Sequence, residues 1–578
     1  MIKVFLLVLI GLLLISCGDE IMKADLVLVN GNIYTVDEQN PTAEAIAVKG
    51  DSIVAVGSND YINSLTGDST IVIDLDGNFL MPGFIESHAH FLGLGKSKIN
   101  LDLRDAKNWN DIIFRVSELS EKVRPGEWII GRGWHQEKWD PKPLENVNGY
   151  PFHNELSNAT PRNPVILKHA SGHAVFANKL AMDLAGINDS TLNPIGGVIV
   201  RDENGRAIGV FEEEAELLIT KVHDDYLAKR TPEEIKADFI KEVEMATKEC
   251  LENGITSFHD AGSTFDEIDR FKELADKDSL KIRLNLMLGE KNSELKDRIK
   301  DYRLIGYGNN FLTVRSIKKY ADGALGSRGA WLLEPYEDLK YKVVDGDTSD
   351  YLGQNVTTLS ELRETAEIAF ENGFQICTHA IGDKANREVL NLYEEFIIKH
   401  NANDLRWRIE HAQHLDESDI PRFKELGVIA AMQPIHCTSD AIFVPIRLGN
   451  ERAENGSYVW RKLLDSGAII SSGTDAPVEK VSPIENFYSA VTRKSKDGTE
   501  FYPDQKMTRK EAISTVTING AYASFEENIK GSIAKGKLAD FVVLSNDLMN
   551  CSNDDIKNTE VVYTILGGKV VYKKENQE

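Results

Sequence analysis

Two histidines separated by one residue, His88 and His90 in Phe84-Ile-Glu-Ser-His-Ala-His90, are the sharpest chemical signal in the chain. On a strand, residues i and i+2 share a face, so both imidazoles can reach one cation. Alone the pair is a weak sign. It gains weight because further ligand types recur downstream, each close behind a strand-like run: His379 in Cys377-Thr-His-Ala-Ile-Gly-Asp383, His411 in Arg408-Ile-Glu-His-Ala-Gln413, and Asp475 in Ser472-Gly-Thr-Asp-Ala-Pro477. Imidazole nitrogen combined with carboxylate oxygen suits zinc, with manganese, iron or cobalt as alternatives. Water on such an ion can lose its proton near pH 7 in place of about 16, which would supply hydroxide in neutral solution. Asp475, beside the ion, is suited to take up a proton and return it. The same residue also stands where a helix N-cap would precede Pro477.

These residues need a frame that brings them together. Strand-like runs occur at Phe79–Phe84, Gly254–Phe258, Ile282–Leu288, Leu312–Tyr320, Phe374–Thr378, Trp407–Glu410, Val428–Gln433 and Ala468–Ser472, eight in all. Helical patterns such as Pro232–Asn253, Glu361–Asn372 and Ala385–His400 fall between them, with apolar residues at three- and four-residue spacing. Eight strands with intervening helices predict an α/β fold, a (β/α)8 barrel whose site lies at the C-terminal strand ends. The barrel is expected over residues 79–529, with a large insertion from about 93 to 233 after the first strand. That gap is too long for one strand-to-helix connection and should carry its own structure. It holds Trp109 and then a denser group, Trp128, Trp134 and Trp139. Short β-rich runs with Asn-Gly and Gly-Asp turns fill 24–78 and return in 530–578. They predict one small β-sandwich domain built from both chain ends.

Longer phrases carry a resemblance. Met81-Pro-Gly-Phe-Ile-Glu-Ser-His-Ala-His90, Gly254-Ile-Thr-Ser-Phe-His-Asp260, Ile317-Lys-Lys-Tyr-Ala-Asp-Gly323, His379-Ala-Ile-Gly-Asp383, Arg408-Ile-Glu-His-Ala-Gln413, Gly473-Thr-Asp-Ala-Pro-Val-Glu479 and the closing Gly531-Ser-Ile-Ala-Lys-Gly-Lys-Leu-Ala-Asp540 resemble the metal-dependent amidohydrolase superfamily. Within it they look like the amidohydrolase family 3 branch that includes N-substituted formamide deformylase-like proteins. The likeness spans essentially the whole chain after Lys23. It implies one or two divalent ions held by His88, His90, Lys318, His379, His411 and Asp475, with Asp475 also catalytic. A lysine ammonium has three donors and no acceptor, so Lys318 could bind a cation only after carboxylation to a carbamate. The alternatives are a buried salt bridge between Lys318 and Asp322, or a one-residue register shift that favours Lys319. His173, Asp322, Arg328 and Gln433 are the substrate-binding candidates. His169 and His436 occupy similar places, and His135 would join an aromatic lid. The implied activity is hydrolysis of a carbon–nitrogen bond other than a peptide, in an amide or N-formyl group. Hydrolysis of a cyclic amide or ester, and a lipoprotein module that only binds a ligand, are the competing readings.

Composition limits the partners. The chain has 578 residues, 42% apolar and 27% charged, as in ordinary globular proteins. A net charge of −25 would repel phosphate backbones, which argues against nucleic acid. Five cysteines without a CxxC pair define no disulfide scaffold. The start, Met1-Ile-Lys3 followed by an apolar run from Val4 to Ile15, reads as a signal peptide over residues 1–16, too short to span a bilayer. It ends in Leu14-Ile-Ser-Cys17-Gly18, which resembles a bacterial lipoprotein box. Cys17 would then be acylated, 17–23 would form a linker, and the protein would be tethered to the membrane of a bacterial cell envelope. An ordinary secretory signal cut nearby is the alternative. A small amide-type substrate is the expected partner, and a homo-oligomer stays open.

Overall fold

A Pro-Gly pair separates the two units of the chain. The computed structural model describes residues 22–575 except 137–138, 170–173, 195–196, 340–342, 345–346 and 349, so the signal segment, Cys17 and His173 lie outside the described residues. One unit covers Phe84–Ser524, and the other joins the chain up to Gly83 with the chain from Phe525 onward.

The larger unit is a nearly closed barrel of parallel strands: β1 (Phe84–Ala89), β2 (Ile255–Ser263), β3 (Arg283–Leu288), β4 (Leu312–Tyr320), β5 (Gln375–Ala380), β6 (Arg408–His411), β7 (Ile429–Met432) and β8 (Ile470–Ser472). Each strand pairs with the next in chain order. Beyond the strand ends, Asp475 N–H donates to the His88 carbonyl and His90 N–H to the Ala476 carbonyl, both at 2.8 Å, and draw β8 and β1 together. Connecting helices announce themselves in sequence. Pro232–Glu252, Phe265–Asp276 and Leu359–Glu371 each start at a threonine, Thr231, Thr264 and Thr358, whose hydroxyl caps the helix while a glutamate three residues on reaches back to the threonine N–H.

The first strand differs from its expected position. Phe79–Pro82 is not in the barrel but in the smaller unit, antiparallel to Phe541–Leu544 and parallel to Asn32–Tyr34. The apolar run reads as continuous, yet Pro82 has no N–H to pair and Pro82-Gly83 ends one strand before Phe84 opens the next. That shift extends β1 to Ala89 and sets His88 and His90 at its C-terminal end.

Between the helix Phe91–Ile99 and the helix Pro232–Glu252 lies a six-stranded sheet, ordered Gly197–Arg201, Ala207–Glu213, Ala174–Ala177, Val165–His169, Ile129–Trp134, Leu101–Asp102. Trp109, Trp134 and Trp139 form its apolar core with Phe176, and Trp128 belongs to a second cluster on Phe211 and Ile166. The tryptophans therefore hold this segment together. The smaller unit has a four-stranded and a six-stranded sheet. Leu26, Leu28, Ile46 and Val48 from the first share one cluster with Ile33, Leu80, Phe541, Val543 and Ile565 from the second. Cys250, Cys377, Cys437 and Cys551 form no disulfide among the described residues, and the first three are buried.

Candidate metal centre

The C-terminal strand ends bring six side chains into one cluster. His88 and His90 come from the end of β1; their Nε2 atoms lie 3.7 and 3.4 Å from Asp475 Oδ1. Lys318 on β4 points inward, with Nζ 3.5 Å from His88 Nε2, while Lys319 turns the other way and donates to the Glu290 carbonyl at 2.7 Å. The register that places Lys318 inside is thus the observed one. His411 at the end of β6 stands ring to ring between His88, 4.7 Å away, and His379 from β5, 4.5 Å away. His411 and Asp475 both have left-handed backbones, φ 78° and 58°. Such a conformation costs a residue with a Cβ of order 1–3 kcal/mol, and here it turns both side chains off the strand alternation toward the cluster.

Outer partners determine which nitrogen of each ring faces inward. His88 Nδ1 bonds the Glu410 carboxylate, which Arg408 grips through Nε at 2.7 Å and Nη2 at 2.9 Å. A carboxylate only accepts, so Nδ1 carries the proton and Nε2 presents its lone pair to the cluster. His411 Nδ1 is 2.7 Å from Gln433 Oε1, and the Gln433 amide nitrogen donates to the Ala431 carbonyl at 2.9 Å. That second bond orients the amide with its oxygen toward the ring, so His411 is also protonated on Nδ1. Below them Glu86, fully buried, accepts from the backbone of His88 at 3.1 Å and of Thr474 at 2.8 Å, and from the Thr474 hydroxyl at 2.8 Å.

Electrostatics agree with the hydrogen bonds. Burial, aided by the Lys318 charge, pushes His88 down to about 4 and His379 to about 3, and burial drives His411 well below its ordinary value. Burial likewise lowers Lys318. For Asp475 burial alone would act upward, but hydrogen bonds from His436 and His90 hold the carboxyl well below the usual range. The result is neutral imidazoles at His88, His379 and His411, an ionised carboxylate at Asp475 and a lysine biased toward its neutral amine. His379 Nε2 is buried with no hydrogen bond and lies 3.6 Å from Asp322 Oδ1, a polar atom left unsatisfied at the edge of the cluster. Ligand atoms of His88, His90 and Asp475 lie within 4.8 Å of one another, and those of His411 and Asp475 meet within the same reach. This donor set fits a divalent cation.

Asp322 borders the cluster, its Oδ1 3.6 Å from His379 Nε2, and Arg328 and His169 are engaged away from it. Asp322 accepts from the backbones of Trp331 and Ile381 at 2.9 Å and of Gly382 at 2.8 Å; it anchors the turn after β5, and burial raises it to about 7. Arg328 pairs with Asp338, which Arg447 shares at 2.6 Å. Gln433 is engaged on His411. Each of the three has protein partners in the structure, and Gln433 orients a ligand candidate, His411. His169 Nε2 pairs with Gln136 at 3.1 Å inside the inserted segment, and its ring lies 4.7 Å from His135. Sequence reasoning overlooked Glu86 and Glu410 and ranked His436 low. Alternation on β1 does place Glu86 on the face of His88 and His90, a usable signal. Nothing local marks Glu410, which lies 322 residues from its partner His88.

Residues 71–572 match the Amidohydrolase family. The protein LONG AFTER FAR-RED 3 of Arabidopsis thaliana is 32% identical over 95% of this chain and 92% of its own length. The N-substituted formamide deformylase of Arthrobacter pascens is 27% identical over 95% of this chain and 98% of its own. Among solved structures, an uncharacterized metal-dependent hydrolase from Pyrococcus horikoshii OT3 superimposes with a TM-score of 0.72 at 26% identity, covering 92% of this chain and 99% of that one.

Proposed function

The chain belongs to the amidohydrolase family, and on that premise we propose that it is a divalent-metal-dependent hydrolase of a non-peptide carbon–nitrogen bond, an amide or N-formyl group. One observation carries the reading: neutral imidazoles of His88, His379 and His411, with His90 and ionised Asp475, converge at the barrel's C-terminal strand ends, where barrel enzymes keep their chemistry. The deformylase likeness favours an N-formyl or other N-acyl amine among hydrolase substrates.

His88, His90, Lys318, His379, His411 and Asp475 would hold one or two ions, most suitably zinc. When bound, such an ion supplies Lewis acidity toward a carbonyl oxygen and makes water acidic enough to attack near neutral pH. Lys318 serves as a ligand only once carboxylated. Its neutral amine, which burial favours, attacks carbon dioxide, forms an N–C bond and releases one proton, leaving an anionic carbamate. Asp475, ionised and at the cluster, takes the proton of the attacking water and hands it to the leaving nitrogen. Glu410 and Gln433 keep the His88 and His411 rings in the tautomer that can bind an ion. Export and acylation of Cys17 would put this hydrolase on the bacterial envelope.

Elemental analysis of the purified protein together with turnover of N-formyl amines, linear N-acyl amines, lactams and esters tests the reading. Bound metal and fastest turnover on an N-formyl or N-acyl amine are expected. The Asp475→Asn variant should keep metal while kcat falls about 10²–10⁴-fold, the usual worth of a general acid–base group. A metal-free protein inert toward every member would refute the assignment.

A further inference from the structure

His436 is placed unlike the other histidines of the centre. It belongs to the helix Pro434–Asp440, which follows β7 directly, and its two ring nitrogens both face carboxylates: Nε2 lies 3.2 Å from Asp475 Oδ2 and Nδ1 lies 3.5 Å from Glu479 Oε1. Asp475 is thereby divided between two tasks. Its Oδ1 turns toward His88 and His90, and its Oδ2 toward His436. Glu479 is itself held, since the Ser439 hydroxyl donates to its Oε1 at 2.5 Å. The helix is pinned in turn: Ile435 N–H donates to Asn486 Oδ1 at 3.0 Å, and the Thr438 and Ser489 hydroxyls meet at 3.0 Å.

His436 could be read as an ion ligand, because its nitrogen falls within reach of His411 and Asp475. Geometry argues otherwise. Both ring nitrogens already lie against carboxylate oxygens, so a cation on either one would have to displace one of those contacts. The segment Gln433-Pro434-Ile435-His436 then acts as one clamp, with Gln433 orienting His411 and His436 orienting Asp475.

We propose that His436, braced by Glu479, is a positioning residue that holds Asp475 with one oxygen turned to the metal centre. It neither binds the ion nor touches substrate. The inference rests on the metal-dependent reading above. Outer partners of this kind are typically worth 10–100-fold in metal affinity or activity when removed.

The test uses the full mature chain, zinc as the probe, and the variants His436→Ala, Glu479→Ala, Glu479→Gln and the double alanine variant. Zinc affinity is read by competition with a chromophoric chelator, and kcat and KM on whichever N-acyl amine the wild type turns over. His436→Ala should lower zinc affinity or kcat by about 10–100-fold while KM changes little. Glu479→Ala should move the same quantity in the same direction. Glu479→Gln, which keeps an acceptor for the ring, should recover part of the loss. The double variant should be no worse than His436→Ala, because Glu479 acts through the ring. Should His436→Ala fail to fold, Glu479, a quarter exposed, still carries the test. Glu479 variants with wild-type affinity and kcat, additive losses in the double variant, or loss of one whole zinc ion in His436→Ala would overturn the proposal alone. A wild-type protein that binds no zinc overturns the functional reading, and this inference with it.

Discussion

At His88 the chemistry turns on which nitrogen holds the proton, and a buried chain of Arg408, Glu410 and His88 decides it. For Glu410 burial acts upward, but Arg408 and His88 outweigh it and hold the carboxyl far below its usual range. Removing Glu410 strands the buried guanidinium of Arg408 without its counter-charge. Glu410→Ala should therefore cost about 3–5 kcal/mol in urea unfolding, and wild-type stability in that variant would contradict the arrangement. The buried rings also set a pH dependence. Burial puts His88 at about 4 and His379 and His414 at about 3, and lowers His411 too, whereas in the unfolded chain such rings titrate near 6.5. Between about pH 6.5 and 4.5 the unfolded state then binds protons that the folded state refuses, so stability drops on acidification. The buried carboxyls work in the opposite direction, Glu86 and Asp322 raised to about 7 and Asp260, Asp383 and Asp440 raised as well, so the effect of the rings is read ring by ring. His414 lies outside the metal centre, so in chelator-treated protein His414→Asn should make the change in melting temperature from pH 6.5 to pH 5 less unfavourable than in the wild type; an unchanged difference would refute the neutral-ring description.

Among elements, the seam between β8 and β1 is the critical joint. Glu86 receives both backbones there, and Gly473 lies against them with no room for a side chain: a Cβ would collide with Glu86 Oε1 and the His88 nitrogen and reach within 2.7 Å of the His88 carbonyl oxygen. Gly473→Ala must push β1 from the turn that carries Asp475. Overpacking of this kind costs about 1–3 kcal/mol, and here it should also weaken zinc binding, which chelator competition would show. Thr231→Ala provides the contrast. It removes the cap of the helix Pro232–Glu252 and should cost about 1 kcal/mol of stability with zinc affinity unchanged. Equal effects of the two substitutions on zinc would remove the special status of the seam.

For the whole molecule, both chain ends contribute to one unit, where Phe79–Pro82 lies antiparallel to Phe541–Leu544, while the residues of the metal centre all come from the other. The proposed tether precedes both. Cys17→Ser should leave the protein unacylated and move it from the membrane to the soluble fraction, as fractionation and intact mass would reveal; an unchanged distribution would exclude the anchor. Local periodicity and residue chemistry made much of this legible beforehand: seven of the eight barrel strands fall where strand-like runs place them, and the six ligand candidates are present as types at strand ends. The first strand was misplaced because Pro82-Gly83 interrupts an apolar run whose pattern continues across it. What only the tertiary structure decided is which groups meet. Lys318 rather than Lys319 faces His88, Glu410 takes the proton of a ring 322 residues away, and Asp322 and Gln433 serve protein groups. Sequence determines what each side chain can donate or accept; barrel closure, by bringing together residues hundreds of positions apart, determines where those capacities are used.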